Sequence, residues 1–311
     1  MRIGYALISE EHPPGRLVEH AKRAEQAGFQ YLSLSDHFHP WLPSQGESPF
    51  AWTVLGGLLE ATTLPVVMQV TCPIKRYHPA IVAQAAATAA SMGQRPFVLG
   101  LGTGEALNEN VVGGPWPAPS RRLEMLEEAI EVIRALWTGE PVTHYGQHVT
   151  VDRATLYTLP EHLPEIAIAV SGERSIGLAA QHGHLLSTAP SERTVRAYRD
   201  AGGSGEVFGQ ASMCFADDRG TAQRIMLERW RHGPLGWDVN AELTTPGAFV
   251  TATTELPDAA ILGPQPFGSD EGEYRRSLEL YERAGFDAVS LHNVGAEQTR
   301  FIETIGGWLF R

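Results

Sequence analysis

The sequence predicts an α/β fold: a single (β/α)8 barrel over residues 1–311 with an inserted hairpin. Three observations carry that prediction. Eight apolar, strand-like runs recur along the chain and most are followed by a helical stretch, the alternation that builds a parallel sheet. No linker of domain-boundary composition interrupts them, and eight such units fit 311 residues better as one closed barrel than as an open sheet. Acids, imidazoles and an indole gather where strands give way to loops, the end of a parallel barrel where sites are built.

Taken in order, residues 2–7 alternate as a strand. Residues 14–28 read as a helix with Leu17, Ala21, Ala24 and Ala27 on one face and Gly28 as its stop. Residues 31–34 form a short buried strand that Pro40 and Pro43 keep from continuing. Residues 50–62 are helical, and 65–71 form an apolar strand ending at Cys72 and Pro73. Pro79 opens an Ala-rich helix to Met92, and the buried strand 96–102 empties into Thr103, Gly104 and Glu105. Ser120 is the expected cap of a long helix on which Leu123, Leu126, Ile130, Ile133 and Trp137 recur at three- and four-residue spacing.

Residues 138–160 break the alternation. Gly139, Gly146 and the pattern over 148–156 predict the inserted hairpin. Strands then follow at 166–170, 185–188 and 207–215, with helices at 174–182, 194–201 and 219–231. Residues 234–266, rich in Gly, Pro and Thr, show no regular pattern. A helix at 273–284, a strand at 287–291 and a helix at 298–309 complete the series.

Composition narrows the function. Hydrophobic content of 43% and charged content of 19% describe a globular chain, and 24 Lys plus Arg against 36 Asp plus Glu give −12. That balance argues against nucleic acid or an anionic membrane as the main partner. No apolar run reaches the length of a membrane span, and Met1 to Tyr5 begin a strand rather than a signal peptide. Cys72 and Cys214 make no disulfide framework and have no metal-ligand spacing, so the expected setting is cytoplasmic. Gly100-Leu101-Gly102-Thr103-Gly104 lacks the spacing of a dinucleotide loop, and no phosphate loop is present.

The chemistry-bearing stretch is Ser35-Asp36-His37-Phe38-His39-Pro40-Trp41, after the second strand. Glu10 follows the first strand and Glu105 the fourth. A His with a nearby carboxylate can move a proton onto or off a substrate hydroxyl, and Trp41 offers a flat wall for a ring. The structural alternative is a polar turn whose Trp caps the core, with Glu105 capping the helix near Asn108. His37 and His39 are two apart, which aims them differently, so no metal is expected. Lys75 and Arg76 are candidates for an anionic cofactor. His292, past the last strand, lies on the same rim.

Three motifs in order carry a resemblance: Ser35 to Trp41, Pro73-Ile74-Lys75-Arg76-Tyr77-His78-Pro79-Ala80, and Gly102-Thr103-Gly104-Glu105-Ala106-Leu107-Asn108-Glu109. Together they resemble the luciferase-like flavin and deazaflavin barrel superfamily, and more closely the coenzyme F420-dependent glucose-6-phosphate dehydrogenase family. The resemblance implies F420 bound in the barrel mouth of a homodimer. It implies His37 beside the reactive ring carbon, with Trp41, Glu105 and Glu10 as active-site partners. It implies cofactor contacts at Asp36, Cys72, Thr103, Gly104, Asn108, Ala169, Ser171 and Gly172, and a non-proline cis peptide at Gln69-Val70. A carbinol carbon would give hydride to carbon 5 of the deazaflavin while His37 or Glu105 takes the hydroxyl proton, and the resemblance leaves open which.

The chain departs from that family where the sugar phosphate is held. Residues 185–192 supply no lysine, none occurs from Ser91 onward, and 260–264 is apolar where an arginine is expected. A phosphate dianion without Lys or Arg is poorly compensated, although Arg174 and Arg193 are possible substitutes. The expected small-molecule substrate is therefore an uncharged alcohol or ketone rather than glucose 6-phosphate. The alternatives are an FMN-dependent monooxygenase on the same barrel and a non-catalytic cofactor-binding homologue.

Overall fold

The computed structural model describes residues 1–93, 95 and 97–310. Pro96, placed above at the start of the fourth strand, lies outside the described residues.

Eight parallel strands close into a barrel in the order β1-β10-β9-β8-β7-β4-β3-β2. They are β1 (Arg2–Leu7), β2 (Leu32–Leu34), β3 (Val66–Met68), β4 (Phe97–Leu101), β7 (Glu165–Ala169), β8 (His184–Ser187), β9 (Val207–Met213) and β10 (Ala288–Asn293). The inserted hairpin is β5 (Val142–Tyr145) and β6 (Thr150–Ala154), paired antiparallel. The expected closed barrel and hairpin are both present. β1 pairs with β2 on one side and with β10 on the other, which decides where its last residues can reach.

The helices are α1 (Pro14–Ala27), α2 (Ala51–Ala61), α3 (Pro79–Met92), α4 (Ala106–Glu109), α5 (Pro119–Leu136), α6 (Glu173–His182), α7 (Glu192–Asp200), α8 (Arg219–Arg229), α9 (Trp237–Asn240), α10 (Pro246–Thr253), α11 (Asp258–Leu262), α12 (Glu271–Ala284) and α13 (Gln298–Leu309). α1 illustrates why they form. Pro14 supplies the preset φ of a first turn, Leu17, Ala21 and Ala24 are buried on one face, and Gly28 ends the helix at φ 99°. One cap differs from expectation. Ser120 lies inside α5, because Pro119 occupies the first helical position and Ala118 the cap. Residues 234–266, patternless in sequence, hold α9, α10 and α11. Each is too short to repeat an apolar face, and the cap on α10, Thr245 accepting from Ala248 N–H ahead of Pro246, is the sequence signal that was there.

The core has two parts. The larger cluster lies between strands and helices. A second gathers Tyr31 with Val67, Val98, Ala167, Leu186, Phe208 and Ala288, single residues from six successive strands that fill the barrel interior. The mouth is therefore floored rather than open as a channel.

Candidate active site

Two consecutive acids after β1 serve the two neighbouring strands. Glu10 turns toward β2. Ser9 Oγ donates to its Oε2 at 3.1 Å, Ser35 Oγ donates to the same oxygen, and its Oε1 lies 3.4 Å from His37 Nε2. Glu11 turns toward β10. Gly295 N–H donates to its Oε2 at 2.9 Å and His292 Nε2 stands 3.9 Å from its Oε1, within ion-pair range but too long for a hydrogen bond. Burial alone would raise the Glu11 carboxyl, but His292 and the Gly295 N–H outweigh it and hold the group below the usual range.

Asn108 ties the candidates together. Its Oδ1 accepts from the backbone N–H of Phe38 at 2.9 Å and of His39 at 3.2 Å, which fixes its other atom as the amide nitrogen. That Nδ2 is 3.1 Å from His37 Nδ1 and 3.3 Å from Glu105 Oε2. His37 Nδ1 also lies 3.2 Å from the His39 carbonyl oxygen. The ring therefore has an acceptor for an Nδ1–H and a donor for a bare Nδ1, one partner for each form. Glu105 occupies the cap position of α4 but makes no capping bond, so its carboxylate is committed to the site side through Asn108.

Trp41 closes the array. Its ring centroid is 4.8 Å from that of His37, and it stacks on His232 at 5.2 Å with 8° between planes. Phe249 meets it edge-on at 5.2 Å. Trp41, Leu235 and Leu243 pack against the buried Leu42, Leu107 and Phe249, and Ala106 N–H donates to the Ala241 carbonyl at 2.9 Å. The segment around α9 and α10 thus sits over the loop after β2 and over α4. His232 comes from the turn between α8 and α9 that leads into that segment, and no sequence motif points to it. Burial pulls its ring down to about 3, with His292 adding to the effect, so it is neutral at ordinary pH.

Behind the array lies a buried charge network. Asp36 accepts from Thr71 Oγ1 at 2.7 Å, Arg76 Nη2 at 3.0 Å and Tyr77 Oη at 3.1 Å. Arg76 N–H donates to Glu109 Oε2 at 2.8 Å, and its Nε is 3.5 Å from Glu109 Oε1. Burial pushes the Glu109 carboxyl up to about 7 against the pull of Arg76. Arg76 is thus engaged within the protein. Lys75 donates to Asn110 Oδ1 at 2.6 Å and to the Gly114 carbonyl at 3.1 Å. The two cations expected to await an anionic ligand already have partners.

The mouth also has a floor of small groups. A Cβ on Gly102 would lie 2.9 Å from Val70 Cγ2, 3.6 Å from Cys72 Sγ and 3.7 Å from Ala169 Cβ, so these residues converge. Gln69, Val70, Thr103 and Ala169 are half-buried there, and the Gln69–Val70 peptide is cis. Ser171 and Gly172 are exposed at the start of α6, their N–H groups donating to Ser175 Oγ. Asp36, Cys72, Gly104 and Asn108 are all buried. A flat, largely apolar ring system with a polar tail suits such a floor, with the Glu10, His37 and Glu105 side chains on one side and the exposed Ser171 and Gly172 on the other.

These features define a family of barrel proteins. The family described as luciferase-like monooxygenase matches residues 1–288, and the chain belongs to it. Its relatives include an F420-dependent glucose-6-phosphate dehydrogenase of Microbacterium testaceum, 32% identical over 98% of this chain and 95% of that protein. An F420-dependent hydroxymycolic acid dehydrogenase of Mycobacterium tuberculosis is 33% identical over 91% of this chain and 80% of its own. Both are oxidoreductases. Among solved structures, an F420-dependent secondary alcohol dehydrogenase in complex with an F420–acetone adduct superposes with a TM-score of 0.91. It is 28% identical, covering 99% of this chain and 98% of that one. The resemblance read from three motifs holds over nearly the whole chain.

Proposed function

We propose that this protein is a coenzyme F420-dependent oxidoreductase acting between an uncharged alcohol and its ketone or aldehyde. The observation that carries the reading is the array Glu10–His37–Asn108–Glu105 beside Trp41, facing a floor of small residues. The F420 dependence of its relatives supports the cofactor. When bound, F420 supplies a two-electron hydride acceptor at carbon 5 of its deazaflavin. Val70, Thr103, Ala169, Ser171 and Gly172 would hold it, with Gln69, Cys72 and Gly104 shaping the floor and Asp36 and Asn108 fixing the loops around it.

The chain's own groups manage the proton. With Nδ1–H donated to the His39 carbonyl, His37 presents a bare Nε2 that accepts the hydroxyl proton as the carbinol C–H leaves with its electron pair and the C=O forms. The resulting imidazolium faces Glu10 Oε1, which stabilises it. Glu105, oriented by the Asn108 amide, is the second proton-handling group, and in ketone reduction the same steps run backward. Trp41 packs against the substrate and keeps water from His37. A sugar phosphate is disfavoured. Arg231 is turned to the Thr253 carbonyl, Arg174 and Arg193 are exposed on α6 and α7, and no lysine follows Lys75. The proposal includes a cytoplasmic homodimer.

Titration with F420 and, separately, FMN, followed by absorbance assays with alcohols, ketones and glucose 6-phosphate, tests the reading. Tight F420 binding with oxidation of an uncharged alcohol is expected. Preference for FMN would redirect the chemistry to oxygen-dependent reactions, and binding of neither would leave a non-catalytic homologue.

A further inference from the structure

His232 is 5% exposed, neutral, and stacked face to face on Trp41, and its Nδ1 has no hydrogen-bond partner. Trp41 is consequently held from two sides, by the His37 ring at 4.8 Å and by the His232 ring at 5.2 Å. Trp230 packs at 4.9 Å from His232 and 5.4 Å from His292, so aromatic and imidazole rings continue from Trp41 to β10 without a cation between them. A wall of this composition has two consequences. It brings no Lys or Arg to compensate a phosphate or carboxylate, and it holds the Trp41 ring in place beside His37. Three ring nitrogens along this run, His232 Nδ1, Trp230 Nε1 and His292 Nε2, are buried without a hydrogen-bond partner.

We infer that His232 is a specificity-determining residue that confines this site to compact, uncharged alcohols or ketones by backing Trp41 with a stacked ring. The inference rests on the F420-dependent reading above and goes beyond it by assigning the substrate boundary to one side chain outside the motif-bearing loops.

The test compares wild type, His232→Ala and His232→Phe. F420 affinity and melting temperature are measured first, so that a failed cofactor site or a failed fold is seen separately. The kcat/KM ratio of a bulky secondary alcohol such as 1-phenylethanol to 2-propanol is then determined. His232→Ala should raise that ratio about tenfold, the scale of discrimination that a pocket wall exerts on small apolar groups. His232→Phe, which keeps the ring, should hold the ratio near that of wild type. An independent readout is acrylamide quenching of the Trp41 emission, obtained by difference against Trp41→Phe in each background. It should rise in His232→Ala and not in His232→Phe. An unchanged ratio in His232→Ala with F420 affinity retained overturns the inference. If no alcohol is turned over at all, the functional reading fails, and unchanged Trp41 quenching then overturns the wall as well.

Discussion

Asn108 offers the sharpest test of how the array works, because its two functions separate in two substitutions. It is 1% exposed, and its Oδ1 holds the loop by accepting from two backbone N–H groups while its Nδ2 spans His37 and Glu105. Asn108→Ala strips partners from both N–H groups. Each lost bond costs about 1 kcal/mol where water can partly replace it, and the truncated side chain adds a small void, for about 2–3 kcal/mol in all. In a chain of 311 residues that lowers Tm by about 3–5 °C. Asn108→Asp keeps an oxygen for both N–H groups but sets its second oxygen about where Nδ2 stands, 3.3 Å from Glu105 Oε2, so it should recover only part of that loss. It also sets a negative charge beside His37 Nδ1, which favours the imidazolium. Because the proposed base is the neutral ring, the acid limb of the kcat/KM profile should move to higher pH. Differential scanning calorimetry and a pH series of initial rates measure the two effects. A profile unmoved in Asn108→Asp with the fold retained would refute the claim that Nδ1 answers to residue 108, and an Asn108→Ala protein as stable as wild type would refute its role in the loop.

His37→Ala should lower turnover by about 10²–10⁴-fold while leaving F420 affinity largely intact, and unchanged turnover would transfer the base to Glu105. A pH dependence of stability follows from His12 and His20, whose rings meet edge to face at 5.0 Å and which burial pulls down to about 4. Their folded values lie below the unfolded one, so stability is fully present above about pH 6.5 and is lost as pH falls toward 4. Tm should drop across that window, and His20→Leu should flatten the drop. A wild-type Tm independent of pH between 6.5 and 4 would contradict this.

The fold was legible because its signals are local and repeated. Every strand of the barrel coincides with an apolar run, and α1 announces both its ends with Pro14 and Gly28. The array was legible in part for a related reason. Glu10, His37, Trp41 and Glu105 each follow a strand, and in a parallel barrel strand ends converge. What could not be read was pairing across the mouth. Nothing in the run Thr103 to Glu109 says that Asn108 reaches residues 69, 70 and 71 positions away, or that Arg76 faces inward to Asp36 and Glu109 rather than outward to a ligand.

The adjacent acids after β1 show how closure of the barrel creates meaning that sequence order hides. In the chain, Glu10 and Glu11 are one acidic pair, and His37 and His292 both follow it, 255 positions apart (292 − 37). Closure makes β2 and β10 the two neighbours of β1, so the first acid meets one imidazole and the second meets the other. His232, whose neutral ring is favoured by its burial beside His292, stacks on Trp41 from a segment with no periodicity of its own. The proposed proton-handling side of the mouth is thus built by residues next to strands, which motifs can mark. The proposed substrate side is closed by the segment around α9 and α10, held by the Ala106 N–H on the Ala241 carbonyl, by Arg122 on Glu242 and by the packing of Leu235, Leu243 and Phe249. Under that reading, changes in this segment alter what is accepted while the array that moves the proton stays the same.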